Sequence, residues 1–115
     1  STTEKLLSLP VQHFFVLRGV TSRTKRVSGE IVQPVTTDQV HESYTKLVNE
    51  GSRVSERSVR DLITDLETMG LVETWIQSKG REGRVKQIET TFDPNWVQEV
   101  KAEYIRQSPN LERSE

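Results

Sequence analysis

Apolar residues in the middle of the chain repeat with helical period. Val59, Leu62, Ile63, Leu66 and Met69 fall at i, i+3, i+4, i+7 and i+10, which gathers them into one stripe. Ser55 is placed to cap this segment, because its hydroxyl can accept from the free N–H groups of a first turn, and Gly70 is the expected stop. The pattern predicts a helix of about four turns. The period then changes. Two short segments of strand character, LVETWIQS and VKQIETTF, flank KGREGR, whose two glycines suit a tight turn and whose charges are mostly basic.

Upstream, VQHFFVLRGV following Leu9 and Pro10 predicts a helix with proline in its first turn. Leu6 and Leu7 add a short helical lead-in that Pro10 separates from it. TSRTKRVSG is polar and basic and is expected to be a loop, with EIV at 30–32 forming a short first strand that pairs with the hairpin. Pro34, Thr36 and Thr37 open a helix over TTDQVHESYTKLVNEG, with Val40, Tyr44, Leu47 and Val48 as its stripe and Gly51 as its end. The few residues between Gly51 and Ser55 match the tight turn of a helix-turn-helix. Asp93 and Pro94 begin a final helix carrying Trp96, Val97, Val100 and Tyr104. The fold expected is α+β and mostly helical: a winged helix-turn-helix with a small antiparallel β-hairpin wing and a C-terminal helix. It occupies 1–108, and 109–115 is expected to be a disordered tail.

Composition narrows the functional classes. A chain of 115 residues holds one modest core, and 32% hydrophobic residues with a mean hydropathy of −0.63 imply long polar surfaces. The absence of cysteine excludes disulfides, thiolate metal sites and cysteine nucleophiles, and suits a reducing interior. No apolar run approaches the roughly 20 residues needed to span a bilayer, so no membrane partner is expected and a cytoplasmic location is expected. The net charge is −1, but its distribution alternates. Basic residues Lys5, Arg18, Arg23, Lys25 and Arg26 precede an acidic stretch, Arg53, Arg57 and Arg60 precede Asp61, Asp65, Glu67 and Glu73, and Lys79, Arg81, Arg84 and Lys86 follow. Such alternation fits a fold with one basic face.

The candidate chemistry is recognition of double-stranded DNA. Opposite the apolar stripe the central helix presents Arg57, Asp61, Thr64 and Thr68, with Arg60 on the flank. A recognition helix inserts its N-terminal half into the major groove, which makes Arg57, Ser58, Arg60 and Thr64 the candidates to reach phosphates or base edges. Asp61 is the awkward member, which either pairs with Arg57 at i+4 or accepts from a cytosine amine. In the wing, Gly80 and Gly83 allow close backbone approach, while Lys79, Arg81, Arg84 and Lys86 supply cations suited to a narrow minor groove. His13 and His41 lack a second ligand at metal spacing and are expected to be surface or satisfied helix residues. Trp75 and Trp96 are expected to pack the hairpin against the last helix. No phosphate-cradling GxxxxGK[ST] and no nucleophile with its base are present, so no enzyme is expected and no metal or cofactor is assigned.

Three runs, LLSLPVQHFFVL, SGEIV and VSERSVRDLITDLETMGLVETWIQSKGREGRVKQIE, resemble the C-terminal winged-helix domain of archaeal origin-recognition initiators of the Orc/Cdc type. The resemblance covers 6–89. Its most specific parts are the leucine-proline start, the pattern S-x-R-x-V-x-D-L-x-x-x-L-x-x-x-G-L-V from Ser55, and G-R-x-G-R from Gly80 to Arg84. It implies binding of origin DNA, with recognition-helix roles on Arg57, Ser58 and Arg60 and wing roles on Gly80, Arg81, Gly83 and Arg84. Family members carry an AAA+ ATPase module ahead of this domain, so ATP and Mg belong to that module and this chain is expected to be an excised fragment. An MCM-type replicative helicase is the implied protein partner. The sequence departs from the family pattern at Glu82 and in the polar stretch 31–39.

Two other readings fit the residues. The acids of the central helix and the near-zero net charge suit a winged-helix protein-interaction module, and a dimeric winged-helix transcriptional regulator would use the last helix for dimerisation.

Overall fold

The structure, a computed structural model, describes residues 1–113. Its elements are α1 (Thr2–Leu7), α2 (Val11–Thr21), β1 (Val35–Thr36), α3 (Thr37–Leu47), α4 (Glu56–Thr68), β2 (Val72–Ser78), β3 (Arg84–Thr90) and α5 (Asn95–Gln107). This is a mostly helical winged helix with a three-stranded antiparallel sheet of order β1-β3-β2.

Local chemistry sets most boundaries. Pro10 adopts φ −57 and ψ 150, and its carbonyl accepts the first α2 bond from Phe14 at 3.1 Å. Thr36 caps α3 through a capping box with Gln39, each side chain meeting the other residue's N–H. Ser55 caps α4 by accepting from the Ser58 N–H at 3.1 Å. At its other end the chain turns on Gly70, whose φ of +79 lies in the left-handed region.

The core forms around α2, which is buried from Phe14 through Thr21. Gly19 lets α3 approach closely, since a Cβ there would stand 2.9 Å from the Val40 carbonyl oxygen. Val59, Ile63 and Leu66 bring the α4 stripe onto the other side, and Val35 and Ile88 close the sheet over it. Tyr104 of α5 stacks on Phe14, ring centroids 3.8 Å apart, and its hydroxyl donates to the Leu6 carbonyl. One side chain thereby joins α1, α2 and α5.

Four expectations are corrected. α3 ends at Leu47 rather than at Gly51, since Val48 is extended at φ −112 and ψ 136 and Glu50–Ser52 form a separate 3-10 turn. The first strand is Val35–Thr36 rather than 30–32, because Val35 fills the position opposite Ile88. Ile31 instead pairs with Thr24 in a separate small hairpin, closed by Lys25 N–H to Glu30 O at 2.8 Å and Val32 N–H to Arg23 O at 2.8 Å. The tryptophans do not join the hairpin to α5: Trp96 stacks on Phe92 at 6.0 Å, Trp75 sits opposite Gln87, and both stay over a third exposed. The chain at 109–113 is held in place. Leu111 O accepts from the Asn49 N–H and the Arg113 N–H donates to Leu47 O, both at 2.8 Å. Glu112 pairs with buried Arg18 at 3.0 Å and with Lys101 at 3.7 Å. The open end of α3 and a buried arginine needing a counter-charge are what fix it. Ser114 and Glu115 lie outside the described residues.

Candidate nucleic-acid interface

The turn between α3 and α4 is built by side chains from three elements. Arg53 donates to the carbonyls of Val48 at 2.9 Å and Thr45 at 2.5 Å, satisfying the free end of α3. The Tyr44 hydroxyl accepts from the Val54 N–H at 3.1 Å and donates to Gln12 Oε1 at 2.5 Å, while Gln12 Nε2 reaches Ser52 O at 2.9 Å. Burial raises the Tyr44 pKa above 10.0, against the opposing pull of the Val54 N–H and the Arg53 charge. The turn carrying the start of α4 is thus pinned to α2.

Two polar ties then fix the rotation of α4. On one flank His13 Nε2 meets Asp65 Oδ2 at 3.0 Å, and on the other the Thr74 hydroxyl donates to Glu67 Oε2 at 2.6 Å. Between these flanks, opposite the buried stripe, Arg57, Asp61, Thr64 and Thr68 face outward. Arg60 is exposed and pairs with Glu56 at 3.0 Å. The Arg57–Asp61 pair weighed from the spacing is not among the ion pairs of the described residues. Ser58 is half-buried and its hydroxyl accepts from that of Ser55 at 3.0 Å, so it serves the cap. The Thr64 hydroxyl donates to Arg60 O at 3.3 Å, leaving its oxygen lone pairs outward.

The wing tip closes on itself. The Lys79 N–H donates to Gly83 O at 2.7 Å, and Gly80 and Gly83 take φ +58 and +77. A Cβ at either glycine would meet nothing within 4 Å, so backbone angle rather than space requires glycine there. Lys79, Arg81, Glu82 and Arg84 are exposed, and none of them belongs to an ion pair among the described residues. Lys86 is half-buried, apart from the tip. It lines a hollow of about 320 Å³ with Arg60, Asp61, Thr64 and Asp38, where α4, the start of α3 and β3 meet. The sequence-selected residues therefore form two groups, an α4 ridge with its hollow and a cationic wing tip.

The basic hairpin at 22–32 belongs to neither group. β1 runs antiparallel to β3, so the chain enters it from the end of β3 remote from the wing tip, and Arg23, Lys25 and Arg26 stand at that end. Val27 at its apex is 99% exposed. Sequence reasoning missed Gln12, Tyr44 and Arg53 as positioning residues. Their one signal was the shortness of the turn, which leaves backbone groups in need of side-chain partners. Among the described residues no cluster of three or more His, Cys, Asp or Glu could hold a metal, and no helix is long and apolar enough to cross a membrane.

A family described as CDC6, C terminal winged helix domain, matches residues 4–100. ORC1-type DNA replication protein 1 of Methanosarcina mazei is 30% identical over 108 residues, covering 92% of this chain and 26% of that protein. Its counterpart in Methanothermobacter thermautotrophicus is 32% identical over 98 residues, 84% of this chain and 24% of that protein. This chain thus spans about a quarter of the length of these relatives. The Aeropyrum pernix ORC1 protein, solved in complex with DNA, shares the fold with a TM-score of 0.69 at 22% identity, over 91% of this chain and 27% of that one.

Proposed function

The chain belongs to the family of CDC6 C-terminal winged helix domains, and from that premise we propose that it binds double-stranded DNA at replication origins, as the C-terminal module of an AAA+ initiator that helps load the replicative helicase. The observation that carries the reading is the arrangement of the two polar groups. Arg57 and the α4 ridge project from one fixed helix face, and three exposed cations, Lys79, Arg81 and Arg84, crowd a preformed hairpin tip. α4 enters the major groove with Arg57, Ser58, Arg60 and Thr64 nearest its edges, and the wing lies along the minor groove with Gly80, Arg81, Gly83 and Arg84 against the backbone. Lys79 and Lys86 add phosphate contacts on either side. The DNA held by the Aeropyrum pernix protein supports this reading by likeness of fold.

ATP and Mg act in the AAA+ module of the parent family and not in this domain. The partners are origin duplex and an MCM-type helicase, and the site of action is the nucleoid. Duplex titration at two salt concentrations tests the reading. Binding that weakens as salt rises supports it, and salt-independent binding or none at low salt overturns it.

A second reading rests on Trp75, exposed on the outer sheet face beside Gln77 and Val85. It assigns that face to protein docking. Trp75→Ala would then abolish partner capture while leaving DNA affinity unchanged.

A further inference from the structure

We infer that Asp61 reads a base pair in the major groove, selecting cytosine on the strand it faces. This rests on the DNA-binding reading above. Asp61 lies opposite the buried stripe of α4, is exposed, and takes part in no ion pair among the described residues, although Arg57 stands one turn earlier and Arg60 and Lys86 line the same hollow. An ionised carboxylate accepts hydrogen bonds and donates none.

The major groove offers such a group few partners. Guanine N7 and O6, adenine N7 and thymine O4 are acceptors and repel it, so only the adenine N6 and cytosine N4 amines can satisfy it. Adenine sets its N7 lone pair beside its amine, whereas cytosine has no acceptor on that edge. Cytosine is therefore the favoured partner. Arg57 has the complementary chemistry, a guanidinium that fits guanine O6 and N7. Four residues of helix rise about 6 Å, close to two base-pair steps of about 3.4 Å. Arg57 and Asp61 are thus spaced to read a guanine and a cytosine no more than about two pairs apart.

The hollow also differs from the wing in its electrostatics. Asp38 and Asp61 offset Arg60 and Lys86 there, so its net pull on phosphate is weaker than that of the wing tip, which carries a cationic excess. Attraction to any duplex belongs to the wing and discrimination between duplexes to the hollow.

The experiment is selection from a duplex pool randomised over about ten base pairs, one helical turn, with the chain and its Asp61→Asn variant. Single-duplex titrations then follow. Asp61 is exposed and polar substitution leaves the fold intact. Asparagine pairs with adenine N6 and N7, so the variant should exchange cytosine for adenine at one position, with a change in relative affinity of about tenfold. An unchanged base profile with uniformly tighter binding overturns the inference alone, because Asp61 would then be only a repulsive surface charge. Failure of the unmodified chain to bind any duplex at low salt overturns the DNA reading with it.

Discussion

His13 Nε2 stands 3.0 Å from Asp65 Oδ2, so a helix buried in the core holds the rotation of the helix that faces outward. The imidazole is mostly covered and the carboxylate is not, which places the tie at the seam between α2 and α4. His13→Ala removes this bond and leaves a gap beneath Asp65. The expected loss of stability is about 1–3 kcal/mol, read as a lower urea midpoint with unchanged m. Weaker duplex binding should accompany it, since the α4 ridge loses one of its two anchors.

The wing supplies a quantitative expectation. Each phosphate neutralised on duplex DNA contributes about −0.9 to the slope of log K against log salt. With about five contacts the chain should show a slope near −4 to −5, and Arg81→Ala with Arg84→Ala should bind more weakly with a slope shallower by about 2. Anisotropy titration over a salt series checks this. Equal slopes for the two proteins would remove the wing from the interface.

Gly83 takes φ +77 and ψ −146, a region that residues with a Cβ rarely enter. Gly83→Ala should cost about 1–3 kcal/mol at the wing although nothing crowds the new methyl. Hydrogen exchange at the Lys79 N–H, whose acceptor is Gly83 O, should quicken while exchange in α2 stays slow.

Glu112 neutralises Arg18, whose guanidinium also lies 5.1 Å from the Phe15 ring centroid. Glu112→Ala strands a buried cation and should destabilise the fold by about 1–3 kcal/mol. Protection of the Asn49 N–H, bonded to Leu111 O, should fall with it. An unprotected Asn49 in the unmodified chain would show that this segment is not held.

Burial raises the pKa of both Tyr44 and Tyr104 above the ordinary 10.0. The sign follows from linkage: folding favours the protonated hydroxyls, so their contribution is complete below pH 10 and is lost as pH rises through the folded-state values. Thermal melts should show a constant midpoint from neutrality to about pH 9 and a falling one above pH 10. Tyr104→Phe should weaken that alkaline decline, since one of the two hydroxyls is gone.

Much of the framework that carries the candidate site was legible in the chain because its chemistry is local. The Ser55 cap, the stripe from Val59 to Met69 and the two wing glycines each act within a few residues, and the helix and hairpin they imply form at those places. What escaped depends on distant partners. Ile31 and Val32 have the composition of a strand, but the place beside Ile88 goes to Val35, which only the packed sheet decides. The 109–113 segment looks unanchored until Arg18 and the end of α3 are beside it. Gln12, Tyr44 and Arg53 are ordinary polar residues in sequence, and only the folded turn turns their hydrogen-bonding capacity into positioning.

The self-closed wing tip also bears on how fast a complex forms. Its hairpin bonds and glycine angles are in place before any partner arrives, so little chain entropy remains to be surrendered on contact. On the proposed DNA-binding reading, encounter then needs no folding step, and the long-range field of Lys79, Arg81 and Arg84 is expected to set arrival while the α4 ridge sets residence. Added salt should therefore slow association well before it shortens the lifetime of the complex.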